Sequence, residues 1–103
     1  YQGEFENNDC RKLSFSFTCF DECQLRNLVF DGGNFIGARF PETMIEDCSF
    51  VSADLRDADF RKCRFKSVDF SNADMLGAVF DAAVINELEL SAEQLETIYV
   101  SEE

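Results

Sequence analysis

The side chains able to do chemistry in this 103-residue chain are a run of aspartates and five cysteines, with no histidine. Asp54, Asp57, Asp59, Asp69 and Asp74 follow one another closely, a density of carboxylates that acid–base catalysis or a divalent cation would use. Without histidine there is no Ser-His-Asp or Cys-His set, and no glycine-rich phosphate loop is present. The cysteines, Cys10, Cys19, Cys23, Cys48 and Cys63, are odd in number and contain no C-x-x-C pair. That pattern argues against a zinc site or a disulfide framework, and for thiols packed in a core in the reducing cytoplasm. No catalytic, cofactor-binding or metal-ligating residue is therefore assigned, and the chain is not expected to be an enzyme.

What would position these residues is a period of five. Reading from Phe5 gives Phe5, Cys10, Phe15, Phe20, Leu25, Phe30, Phe35, Phe40, Ile45, Phe50, Leu55, Phe60, Phe65, Phe70, Met75, Phe80 and Ile85, all apolar. They use eleven of the twelve phenylalanines. Two positions before each lies a smaller class, among them Leu13, Thr18, Cys23, Gly33, Ala38, Cys48, Ala58, Cys63 and Ala78, with Asn8 its one strongly polar member. One large and one small residue inward with three outward fits neither the helical period of 3.6 nor strand alternation.

Segments such as Ala53-Asp54-Leu55-Arg56-Asp57, Ala58-Asp59-Phe60-Arg61-Lys62 and Ala73-Asp74-Met75-Leu76-Gly77 resemble the A(D/N)LXX consensus of pentapeptide-repeat proteins. The resemblance covers roughly residues 3–90, and its mixed style is closest to Qnr-like and effector-type members. It implies an all-β solenoid, a right-handed quadrilateral β-helix of about four coils. It also implies that Asp at the second consensus position serves the turn or the solvated face, which removes Asp54, Asp59 and Asp74 from catalytic candidacy.

With four repeats to a coil, residues twenty apart stack in ladders about 4.8 Å apart. The core ladders are then Phe20-Phe40-Phe60-Phe80, an all-phenylalanine column, and Cys10-Phe30-Phe50-Phe70. Beside them run Phe15-Phe35-Leu55-Met75 and Phe5-Leu25-Ile45-Phe65-Ile85. On the surface Glu6, Arg26, Glu46 and Lys66 should stack with alternating sign. Cys23 and Cys63 share a column two coils apart, about 10 Å, which is too far for a disulfide. Gly32, Gly33, Gly37 and Gly77 fall at or beside corners, where positive φ is needed.

The period fades after Ile85. Ser91 then reads as an N-cap with Gln94 as its capping-box partner, and Leu90 and Leu95 stand at staple positions. Leu95, Ile98 and Tyr99 make an apolar stripe at helical spacing. The expectation is a β-helix over 1–90 and a capping helix, residues 91–100, opening an acidic tail that runs to 103. Tyr1 enters in register without a comparable cap, which suggests part of a larger protein, and a homodimer through a terminal coil or the C-terminal helix is an option.

Net charge is −12, and half of it lies in residues 87–103, which carry six glutamates and no base. Such a chain repels phosphate backbones and anionic membrane surfaces, so neither direct nucleic-acid nor membrane binding is expected. A protein partner is expected instead. Phe17 is the one phenylalanine outside the inward phase, and its ladder partners are Gly37, Asp57 and Gly77. With Ile36 and Leu76, and the carboxylates Asp54, Asp57, Asp59 and Asp74, it makes the candidate interaction surface. The leading expectation is a non-catalytic, rigid protein-binding scaffold. The alternative implied by resemblance is a Qnr-like DNA mimic that protects DNA gyrase and topoisomerase IV from quinolones.

Overall fold

A computed structural model of the chain describes residues 3–6 and 9–102. The readings of Tyr1 and Asn8 lie outside those residues.

Four short strands, β1 (Gly3–Glu6), β2 (Cys23–Arg26), β3 (Met44–Glu46) and β4 (Arg64–Lys66), form one parallel sheet in that order. Their register is Glu6↔Arg26↔Glu46↔Lys66, a step of twenty residues. Isolated parallel bridges keep the same step on the other sides, as in Asn34↔Asp54↔Asp74 and Cys19↔Arg39↔Asp59↔Val79. The chain therefore winds in twenty-residue coils stacked in parallel. Its extents are 31 × 25 × 24 Å, so the stack is a stub.

Between bridges the backbone turns once in every five residues. The third residue of each turn is left-handed: Lys12, Phe17, Glu22, Asn27, Gly32, Gly37, Glu42, Asp47, Ser52, Asp57, Lys62, Ser67, Asn72 and Gly77 all have positive φ. Many of these turns close with a hydrogen bond such as Thr18 N–H to Phe15 O or Ala58 N–H to Leu55 O, the pattern of a type II turn. Only three of the corner residues are glycine. Gly33 is not among them; it occupies the small inward position, where an added Cβ would meet the Phe30 carbonyl at 2.9 Å. A non-glycine residue pays about 1–2 kcal/mol for this conformation. The ladder enforces it, because the left-handed residue's own N–H makes the bond to the next coil: Phe17 to Ile36 O, Ser52 to Ser71 O, Asp57 to Leu76 O.

The inward residues build the core. Phe20, Phe30, Phe40, Phe50, Phe60, Phe70 and Phe80 are all buried. Rings stack at 5.0 Å between Phe20 and Phe40, 4.6 Å between Phe40 and Phe60 and 4.9 Å between Phe60 and Phe80, within 12° of parallel. The second column is looser, at 5.0 Å and 5.5 Å and tilted 23° and 18° from parallel through Phe30, Phe50 and Phe70. Small residues beside the rings, Ala38, Ala58 and Ala78, let the backbone close around them. Thr43 is the one buried polar residue among those described, and its hydroxyl is satisfied by the carbonyls of Phe20 and Pro41. The Cys48 thiol follows the same pattern, donating to Leu25 O and Glu46 O. Leu13, expected to point inward, is 49% exposed, because it lies in the first coil and only one neighbouring coil covers it.

The C-terminal segment departs from expectation in three ways. Ile85 does not extend a strand: after β5 (Val79–Asp81) the chain makes one helical turn, α1 (Ala82–Ile85), which leaves Ile85 partly buried against the core. The second helix, α2 (Ala92–Thr97), has the expected capping box between Ser91 and Gln94 but is shorter than the 91–100 expected. Tyr99 is not on its stripe. Residues Tyr99–Ser101 form β6, paired in parallel with β5 as Val79↔Tyr99, Phe80↔Val100 and Asp81↔Ser101. The backbone groups of β5 that face away from the preceding coil would otherwise lack partners, and their pairing outweighs a three-residue helical stripe.

Where the backbone leaves the coil path, side chains replace it. Gly33 O and Ala53 O accept from the N–H groups of Asp54 and Asp74, and the next member of that series, Ala73 O, accepts instead from Gln94 Nε2 at 3.1 Å. The same amide donates to Phe70 O at 2.8 Å while its oxygen accepts from Ser91 N–H. At the start of α1, Lys62 N–H donates to the Asp81 carboxylate at 2.8 Å, where other corners use a backbone carbonyl.

Candidate interaction surface

The aspartates singled out from sequence are held by the turns they belong to. Asp54, Asp59, Asp69 and Asp74 each accept from the N–H two residues on, at 3.3, 3.0, 2.8 and 3.2 Å. Asn34 does the same toward Ile36 N–H at 3.0 Å, which shows that the turn needs the acceptor and not the charge. Where the residue two on is arginine, its guanidinium closes on the same carboxylate. Arg56 reaches Asp54 at 2.8 Å, Arg61 reaches Asp59 at 2.7 Å and Arg11 reaches Asp9 at 2.6 Å. These pairs hold the carboxyls of Asp54 and Asp59 below their usual range, chiefly through the arginine hydrogen bond and against some desolvation. The signal was in the sequence as a repeated Asp-apolar-Arg triplet at 9–11, 54–56 and 59–61, but an outward spacing of two in a five-residue period belongs to no familiar pairing rule.

Asp54 and Asp74 are ladder partners as expected. Asp57 is different: it sits at a left-handed corner, and its Oδ1 lies 2.3 Å from where a Cβ on Gly77 would be. The carboxylates are thus spread over separate turns, and among the described residues no three acidic or cysteine side chains gather as a metal would require.

Along the same corner ladder Phe17 lies over Gly37, its Cε1 and Cδ1 2.6 and 2.7 Å from the position of an added Cβ. A large residue over glycine, then aspartate over glycine, is the rule of this edge. Phe17 is 77% exposed and Leu76 57%, while Ile36 is half-buried. The Arg56–Asp54 pair stands between Ile36 and Leu76 in their column, so Ile36 and Leu76 are separated apolar points on one polar face. On the neighbouring edge Glu46 and Lys66 meet at 3.9 Å, as the alternating-charge ladder requires.

The cysteines are thiols, with Cys23, Cys48 and Cys63 buried and Cys10 and Cys19 half-buried. Burial pushes the Cys48 thiol up to about 11 and that of Cys63 higher still.

Residues 48–86 match the family model for pentapeptide repeats in eight copies. That stretch of the chain therefore carries pentapeptide repeats. A pentapeptide-repeat protein from the Arabidopsis thaliana thylakoid lumen superposes with a TM-score of 0.72 at 27% identity over 76% of this chain, which is 54% of that one. The chain thus spans about half the length of that relative. A pentapeptide-repeat protein from Nostoc superposes with a TM-score of 0.76 at 16% identity, over 95% of this chain and 80% of that one. No curated protein sequence matches.

Proposed function

We propose that this pentapeptide-repeat chain is a non-catalytic binding module, a right-handed quadrilateral β-helix that holds surface side chains at fixed spacings for a protein partner. One observation carries the reading: the carboxylates of Asp54, Asp59 and Asp74 are committed to their own turns, while Phe17 and Leu76 stand exposed on a rigid stack. An aromatic ring fixed at a left-handed corner presents apolar area with little entropy left to lose on binding. The thiols support a reducing compartment, the cytoplasm.

The test is affinity capture from cytosolic extract with the wild type and with the Phe17→Asn and Leu76→Ser variants. Asparagine tolerates the left-handed corner, so Phe17→Asn should melt like the wild type yet lose the captured protein. Capture indifferent to both variants would remove this face from the reading. The Qnr-like alternative has less support, since bidentate arginines neutralise Asp54 and Asp59 and interrupt any phosphate-like track. Added to a gyrase supercoiling assay with a fluoroquinolone, the protein is expected to give no protection.

A further inference from the structure

We propose that the Asp31–Gly32 corner is a modification site, where opening of the ladder lets Asp31 cyclise on Gly32 and isomerise to isoaspartate. The inference is independent of the binding-module reading. Asp31–Gly32 is the one Asp-Gly step in the chain, and no Asn-Gly step occurs. Every other aspartate and asparagine precedes a residue with a β-carbon, which hinders attack by the following backbone nitrogen.

The folded corner holds each reacting group in a bond of its own. Asp31 Oδ1 accepts from Val51 N–H at 3.0 Å and from the Ser49 hydroxyl, so the carboxylate is fixed to the next coil. Gly32 N–H donates to Val51 O at 2.9 Å, which engages the nitrogen that would attack. On the other side the Asp31 carbonyl accepts from Lys12 N–H at 3.0 Å, and Lys12 Cγ lies 3.4 Å from where a Cβ on Gly32 would be. Gly33 N–H closes the turn on Phe30 O at 2.9 Å, with Gly32 at φ +68°. Cyclisation brings Asp31 Cγ onto Gly32 N. The carboxylate must first leave Val51 N–H, and Gly32 N–H must leave Val51 O, so the reaction waits on local opening between these two coils.

Once the rung opens, the Gly32 nitrogen bonds to Asp31 Cγ, and its proton leaves with the carboxyl hydroxyl as water. A water then adds to one carbonyl of the succinimide ring. Cleavage at the side-chain carbonyl restores aspartate. Cleavage at the former main-chain carbonyl leaves isoaspartate, with the chain routed through Cβ and Cγ. The carbonyl that accepted from Lys12 N–H is then a free carboxylate, and the main chain is one carbon longer. A stack whose corners recur every five residues cannot close over that insertion, because Gly32 N–H no longer meets Val51 O. Phe17 N–H bonds to Ile36 O a few residues beyond, and the Phe17 ring lies over Gly37, so the lesion loosens the coil that carries Phe17. An opening that the ladder would otherwise reverse becomes permanent.

The whole chain is incubated at neutral pH, folded in buffer and unfolded in guanidinium chloride, and isoaspartate is located by peptide mass spectrometry with electron-transfer fragmentation. In the unfolded sample it should accumulate at Asp31 ahead of every other site, and in the folded sample at least about tenfold more slowly. Ser49→Ala keeps the Asp-Gly step but releases one hold on the carboxylate. It should speed the folded reaction about tenfold, as loss of a hydrogen bond to a charged group allows, and leave the unfolded rate unchanged. Should that variant melt early, the wild type in denaturant below its unfolding transition serves in its place. Isoaspartate formation there should rise in proportion to amide exchange at Gly32. Isoaspartyl chains, separated by reverse-phase chromatography and refolded, should lose exchange protection at Lys12 and Gly32. Equal rates in the two states, no isoaspartate at Asp31 in denaturant, or a folded rate that follows neither Ser49→Ala nor Gly32 exchange would overturn the inference. So would isoaspartyl chains as protected as the wild type, since the corner would then accommodate the longer chain.

Discussion

At the residue scale the corner carries the most specific chemistry. Gly77 combines φ +80° with an Asp57 carboxylate over its α-carbon. The carboxylate can swing aside, so Gly77→Ala should cost mainly the left-handed penalty, about 1–2 kcal/mol. For a chain of this size that lowers the melting temperature by roughly 4–8 °C per kcal/mol. Gly77→Asn should recover most of it, and a thermal melt of the two variants decides; an alanine variant as stable as the wild type would contradict the argument. The Asp-apolar-Arg triplets make a second, pH-dependent point. Asp54 and Asp59 have folded-state pKa values below their unfolded ones, so their contribution is present above the ordinary carboxylate range and is lost as pH falls through the folded values. Asn keeps the acceptor for the turn, as Asn34 does, and removes only the ion pair. Asp54→Asn/Asp59→Asn should therefore cost no more than about 1 kcal/mol per pair at pH 7. It should also flatten the acid limb of the stability profile, measured by urea unfolding between pH 7 and pH 2.

At the element scale the question is how a stack of coils stops. Gln94 closes the capping box of α2 and also donates to two carbonyls of the coil below. Gln94→Ala removes both and should cost about 1–2 kcal/mol, with amide exchange accelerated over 88–101 and little changed over 20–60. Gln94→Glu keeps the cap acceptor but turns a carboxylate toward carbonyl oxygens, and should be no better than alanine. Uniform loss of protection along the whole chain would show that α2 is not a separable cover. The capping box was legible in the sequence because it is a local pattern, Ser91 with Gln94. The return of Tyr99–Ser101 to β5 was not, because a twenty-residue register says nothing once the five-residue phase has lapsed. Likewise the corners: glycine pointed to those at Gly32, Gly37 and Gly77, while the left-handed corners at Lys12, Phe17 and Lys62 carry no such local mark. The ladder hydrogen bond, a long-range contact, pays for what the local residue type does not favour.

At the scale of the whole molecule the columns of rings tie the coils into one unit. Phe60 lies between Phe40 and Phe80 in the stacked column and meets Phe65 and Phe70 at its side. Phe60→Ala opens a cavity at that junction and should cost about 3–5 kcal/mol. In a repeat array whose coils touch only their neighbours, such a loss could either stay local or spread along the stack. The continuous ring column argues for spreading, and the buried thiols report it. Burial holds Cys48 at about 11, and Cys63 is pushed up further, so both resist alkylation at pH 8 while the stack is closed. Half-buried Cys19 should react first in the wild type. In Phe60→Ala the alkylation rates of Cys48 and Cys63, followed by mass spectrometry, should rise by the same factor, because opening exposes both coils together. A rise confined to Cys63 would show instead that the coils near Phe60 open alone, and that ring stacking adds packing without cooperativity.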